Sequence, residues 1–275
     1  MTKAQGAWAL VFLLSLLGAS CARADISACT SGYVKESPDE RIRLYTICLK
    51  SGNRRGDISW AFGSRGIAYL EKGEIDRAIA DFTKAIEYDP KFSLAYYNRA
   101  TAHLYRGDLD AAEADFSDAV TRQPRRVHAE AHARRGVIRM YKGRCGEALT
   151  DFDTALKINR KIAWAYSAKA WLLASCADDQ IRNGTEALKL AQKAVSLKDH
   201  WKGHDALAAA YAELGQFDDS VREQNVALTM LAAQDEAGPW LPHVAARLAL
   251  YEKRQPYREQ PSESVKAGEW LASTY

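Results

Sequence analysis

One small side chain recurs on a nearly fixed schedule, and that schedule constrains the fold more than any other feature. Ala85, Ala119, Ala155, Ala194 and Ala227 are spaced by 34, 36, 39 and 33 residues. Seven positions before each stands Ala78, Ala112, Ala148, Ala187 or Ser220, again small. A third small position is held by Gly66, Ala100, Gly136, Ala170 and Ala208, and Phe82, Phe116 and Phe152 sit three residues ahead of the first series. A period in this range marks a stack of like units. Two helices approach closely only where small side chains meet, with large ones filling the space between. Lys72-Gly73-Glu74, Arg106-Gly107-Asp108, Lys142-Gly143-Arg144 and Leu214-Gly215-Gln216 fall between paired helical patterns. Glycine there ends the first helix in a left-handed cap, and Pro90 and Pro124 stop the second. No strand pattern occurs, so the chain is read as all-α.

Phe62-x-x-Arg65-Gly66-x-x-Tyr69, followed by Ala78, Phe82, Ala85 and Pro90, resembles a tetratricopeptide repeat. The next unit matches through Tyr96, Arg99, Ala100, Ala112, Phe116, Ala119 and Pro124. Later units depart: Arg139 and Arg160 replace the tyrosine and the proline, five residues are inserted near 178–182, and Ser220 and Gln224 replace the usual Ala and Phe. The resemblance implies an α-α superhelix, a tetratricopeptide solenoid of about five helix pairs with N- and C-terminal capping helices. The units fall at 59–92, 93–126, 129–162, 163–200 and 201–233. Ser37-Pro38-Asp39-Glu40 is a capping box that starts a helix running to about Ser51, within a cap over 25–58. Apolar residues at helical spacing (Leu241, Val244, Ala245, Leu248, Tyr251) predict a second capping helix within 234–255. Residues 256–275 are read as a flexible tail.

Residues 1–24 read as an export leader. Lys3 is followed by the apolar run 7–17 (AWALVFLLSLL) and by Ala22-Arg23-Ala24, the small-residue pattern of a cleavage site. That run of 11 residues is too short to span a bilayer, which takes about 20. A competing cut before Cys21 would attach lipid there, although Leu17 sits one residue too far upstream. Cleavage after Ala24 removes Lys3, Arg23 and no acid, taking the formal charge from +3 to +1. No other long apolar run exists, so no membrane-spanning segment is expected in the mature chain. Cys29, Cys48, Cys145 and Cys176 remain, an even number compatible with disulfides. Three pairings are possible. Cys29–Cys48 is favoured by closeness in sequence. Cys145–Cys176 is favoured because the two begin and end helices at one rim of the stack. The secreted cap, the Ala-Tyr-Tyr-Asn-Arg of the second unit and the C-terminal Pro-Tyr-Arg-Glu resemble exported tetratricopeptide proteins of Gram-negative bacteria, which implies the periplasm.

Catalysis needs a nucleophile, a base and an orienting group in one place. His103, His132 and His204 fall at aromatic positions of the repeat and are read as packing substitutes. The His128/His132 and His200/His204 pairs lack the zinc-protease order. No catalytic residue, metal site or cofactor is expected. In the resembled family the first helix of each pair lines a concave face that holds a peptide. Here that implies a groove of Tyr97, Asn98, Thr101, Tyr105, Arg134, Val137, Tyr141, Trp164 and Trp171, with another protein or a peptide as partner. Asn98 and Arg134 occupy two positions of a carboxylate clamp, whereas Gly63, Ile67 and Glu130 depart from it. Residues 122–144 carry seven Arg and one Lys against Glu130 alone. Arg122, Arg125, Arg126, Arg135 and Arg139 could therefore bind an anionic envelope component. They could equally be compensated by Asp108, Asp110, Glu113, Asp115 and Asp118. The near-neutral mature charge and the leader argue against nucleic acid.

Overall fold

The computed structural model describes residues 37–50, 55–122, 127–234 and 240–259. The leader, Cys21, Cys29, Arg125, Arg126 and residues 260–275 lie outside that set. Among the described residues there are twelve α-helices and no strand. They are α1 (Pro38–Lys50), α2 (Arg55–Glu71), α3 (Ile75–Tyr88), α4 (Ser93–Arg106), α5 (Leu109–Thr121) and α6 (His128–Tyr141). There follow α7 (Cys145–Ile158), α8 (Ala163–Ser175), α9 (Gly184–Leu197), α10 (Trp201–Glu213), α11 (Phe217–Ala232) and α12 (Leu241–Glu252). This is the all-α, helix-pair repeat architecture that the small-residue schedule predicts. None of the described helices is long and apolar enough to cross a membrane. The chain divides into two compact units, one ending at Ala131 and one spanning His132–Val265.

In the first unit, α1 packs on α2 through Tyr45, Cys48 and Ala61, with Tyr45 edge-on to Trp60 at 5.4 Å. Cys48 is buried and disulfide-bonded; its expected partner, Cys29, lies outside the described residues. The α2–α3 pair shows why the scheduled residues must be small. A Cβ on Gly66 would lie 2.7 Å from the Phe82 ring. The paired helices are also latched by charge. Arg65 donates to both oxygens of Asp81 at 2.7 and 2.8 Å, and Arg99 does the same to Asp115 at 2.7 Å. Each arginine stands sixteen residues before its acid.

The same construction continues in the second unit. Arg135 reaches Asp151 at 2.9 and 2.7 Å, again sixteen residues on. Four turns close identically: Gly73, Gly107, Gly143 and Gly215 take φ between +74° and +82°. The next amide N–H then donates back five residues, to the carbonyls of Tyr69, His103, Arg139 and Tyr211. The inserted unit has no such glycine. Asn183 caps α9 instead, accepting from the Glu186 N–H at 3.0 Å. Cys145 opens α7, Cys176 closes α8, and the two form a disulfide with their Cα atoms 6.6 Å apart.

Candidate functional site

The expected groove residues divide by burial. In the first unit Tyr97 is 1% exposed and packs edge-on to Phe116 at 5.5 Å. Thr101 is buried, its hydroxyl donating to the Tyr97 carbonyl at 3.0 Å. Both serve the core rather than an open surface. Asn98 is half-buried, and Tyr105 is exposed. In the second unit Val137 is fully buried and Arg134 nearly so, whereas Tyr141, Trp164 and Trp171 are half-buried.

Around those three aromatics the second unit assembles one continuous strip from four helices. Arg134 of α6 lies 5.9 Å from the Trp164 ring of α8. Lys202 of α10 comes next, near Arg134 and Asp205. Burial pushes its ammonium well below its ordinary value, Asp205 opposing that and Arg134 adding to it. Asp205 accepts two bonds from Arg247 of α12, at 3.0 and 2.8 Å, and one from Gln224 at 2.9 Å. Arg247 in turn lies 4.8 Å from the Trp171 ring. The strip thus interleaves cations with indole faces and one carboxylate, each cation near an aromatic or a carboxylate. It suits an extended chain with aromatic and acidic side chains.

Part of the strip is already covered, which the sequence reading did not foresee. Residues 256–259, assigned above to a flexible tail, are seated against it. Arg254 adopts φ +57° and the Gln255 N–H donates to Leu250 O, which turns the chain back from the end of α12. The Tyr257 ring then lies tilted against Trp171 at 5.6 Å, and the Trp171 indole N–H donates to Glu259 at 3.2 Å. The Glu259 N–H donates to the Ser175 carbonyl at 2.8 Å. Arg258 points the other way, to Glu213 at 2.6 Å. The sequence signal available was Pro-Tyr-Arg-Glu itself, which alternates aromatic, basic and acidic residues at strand spacing.

The basic run is largely spoken for. Arg122 pairs with Asp118 at 2.5 Å and lies 4.2 Å from the Tyr96 ring. Arg135 and Arg139 both bind Asp151, with Glu147 beyond Arg139 at 3.5 Å. The compensating acids for Arg135 and Arg139 therefore stand on the following helix, not on the preceding one where the sequence reading placed them. His132 and His204 do more than fill aromatic positions. His132 shares a hydrogen bond with Asp151 at 2.8 Å, and His204 one with Glu223 at 2.7 Å. Beside the Cys145–Cys176 bridge lies a cavity of about 200 Å³, walled by Met140, Leu172, Ser175 and Glu259.

A tetratricopeptide repeat family model matches residues 64–127 and 97–161. No curated protein matches the sequence. Several solved structures share the fold. A tetratricopeptide repeat protein from Parabacteroides merdae is 17% identical, with a TM-score of 0.61 over 90% of this chain and 98% of its own. MamA from Desulfovibrio magneticus is 19% identical, with a TM-score of 0.54 over 66% of this chain and all of its own. YrrB, described as a TPR protein with an unusual peptide-binding site, is 16% identical, with a TM-score of 0.55 over 71% of this chain and 96% of its own.

Proposed function

This chain is a tetratricopeptide repeat protein, and from that premise we propose that it is a non-catalytic scaffold that holds another protein or a peptide on its inner helix face. The observation that carries the reading is the strip in the second unit, where Arg134, Trp164, Lys202, Asp205, Arg247 and Trp171 follow one another. Aromatic faces interleaved with cations give an extended peptide both contact area and register. YrrB, on the same fold, is described as having a peptide-binding site.

Export belongs to the same proposal. The leader pattern of residues 1–24 supports it, and the Cys145–Cys176 bridge favours an oxidising compartment, for which we take the periplasm. An anion-binding role for the third repeat is the weaker reading, because Arg122, Arg135 and Arg139 already face carboxylates. The test is panning of a displayed peptide library on the mature protein, with Trp164→Ala as the control. Peptides that bind wild type and lose at least tenfold in affinity to Trp164→Ala are the expected result. A library that yields no binder, or only binders indifferent to Trp164 and Trp171, overturns the proposal.

A further inference from the structure

The 255–259 segment lies where a ligand would lie, in the conformation a ligand would take. Pro256 restricts Gln255 to extended backbone and cannot extend α12. In an extended chain residues two apart share a side. Tyr257 and Glu259 accordingly both meet Trp171, by a tilted ring contact and by the indole N–H, while Arg258 turns to Glu213 and the Ala174 carbonyl. The main chain joins in through the Glu259 N–H on the Ser175 carbonyl. This is how a bound peptide is held: a backbone bond for register and alternate side chains for selectivity. Arg247 lies under both rings, 4.8 Å from Trp171 and 5.8 Å from Tyr257. Tyr141 sits beneath the same group, its hydroxyl pushed well above its ordinary value by burial, with the Glu259 carboxylate adding to the effect. The turn that delivers the segment needs a left-handed Arg254, a conformation that glycine adopts far more readily. Contacts made by the segment must offset that cost.

We infer that residues 255–259 are a resident pseudo-ligand, and that the Trp171–Arg247–Ser175 lane is a binding site for an extended peptide with an aromatic residue two positions before an acid. The inference rests on the scaffold reading above and deepens it. The site is closed in the free protein, and a partner opens it by presenting the same pattern with more contacts. The cavity walled by Glu259 and the disulfide gives a longer or bulkier partner room that the resident segment leaves empty. The tether sets the threshold. A short link holds the segment at an effective concentration of about a millimolar, so a free peptide of the same sequence competes poorly.

The experiment uses the full mature protein and a labelled synthetic peptide KRQPYRE, the sequence of residues 253–259. Wild type, Tyr257→Ala/Glu259→Ala, and that double variant with Trp171→Ala added are titrated with it. The double variant should bind at least tenfold more tightly than wild type, and the triple variant should lose the gain. Glu259→Gln, a milder change that leaves the Tyr257–Trp171 ring contact in place, should show a smaller gain of the same sign. Hydrogen exchange should show faster exchange at the amide of position 259 in the opened variants. Equal affinity of wild type and the opened variants within twofold makes the segment a structural cap only and overturns the inference. So does a gain that survives Trp171→Ala. In either case library peptides that bind through Trp164 leave the scaffold reading standing, so the two failures are told apart.

Discussion

Asp151 is 2% exposed and faces two guanidinium groups, Arg135 and Arg139, and the His132 ring. Burial alone would raise its pKa, but hydrogen bonds from His132 and Arg135 and the charge of Arg139 outweigh that and leave it below the ordinary carboxylate value. A lowered carboxylate contributes stability above its unfolded pKa, and this is lost as the pH falls through the folded value. Asp153, two residues on, also has a cationic partner, Lys169 at 2.6 Å, but its side chain is 57% exposed. Asp151→Asn should therefore cost about 3 kcal/mol in urea denaturation, because Arg135 is left with an uncompensated charge in a half-buried setting. Asp153→Asn should cost less than about 1 kcal/mol. Similar costs for the two would show that the latch is no more than a surface pair. The sequence displayed Arg65 and Arg99 at motif positions, yet it gave no sign that their partners stood sixteen residues downstream. Charge counted along the chain is blind to which helix face carries it. That is why the run at 122–144 looked unbalanced while Asp151, outside it, was holding two of its arginines.

The helix ends were more legible than the charges, because caps are local. Gly73, Gly107, Gly143 and Gly215 take the positive φ that their place between helices requires. The Glu40 N–H donates to the Ser37 hydroxyl at 3.3 Å, as the capping box predicts. Two ends were not legible. Arg254 takes the left-handed position usually given to glycine, so no residue type announced the turn onto Trp171. His200, one turn from His204 in the sequence, is the N-cap of α10, its ring nitrogen accepting from the Lys202 N–H at 3.3 Å. Desolvation, with Lys202 and Lys198 close by, lowers its pKa to about 4. A histidine lowered in the folded state is neutral there while the unfolded chain takes up a proton below about pH 6.5. Its stabilisation is complete above that pH and falls away between about pH 6.5 and 4. The loss should amount to about 2 kcal/mol, less than the full shift because the ring is partly exposed. His200→Asn keeps a cap acceptor without the titration. Its urea midpoint should fall less than that of wild type between pH 7 and 4.5, and parallel profiles would remove His200 as the cause.

Repeat proteins gain stability from neighbour to neighbour, so a covalent link between successive pairs acts on a few helices rather than on the whole chain. The repeat and its helix pairs could be read from sequence because the same small residues return in unit after unit. The seating of residues 255–259 could not, because it happens once and depends on side chains from α6, α8, α10 and α12 meeting there. The Cys145–Cys176 bridge is a second singular feature of the same compact unit, joining positions 31 residues apart. In the chain-entropy model a loop of that size is worth about 3.7 kcal/mol. It ties the start of α7 to the end of α8, beside the inserted loop that replaces a glycine turn. Where the repeat's own turn is missing, the bridge supplies the restraint. Cys145→Ser/Cys176→Ser should therefore raise amide exchange in α7 and α8 by about five-hundredfold, the equivalent of that stabilisation. Amides in α2 to α5 should keep their protection, because the cross-link lies wholly within the second unit. Equal loss in both units would mean that they unfold as one block, and the bridge would then have to be credited to the entire stack. Unchanged exchange in α7 and α8 would mean that the inserted loop holds its place without help, leaving the bridge to mark the compartment rather than to build the fold.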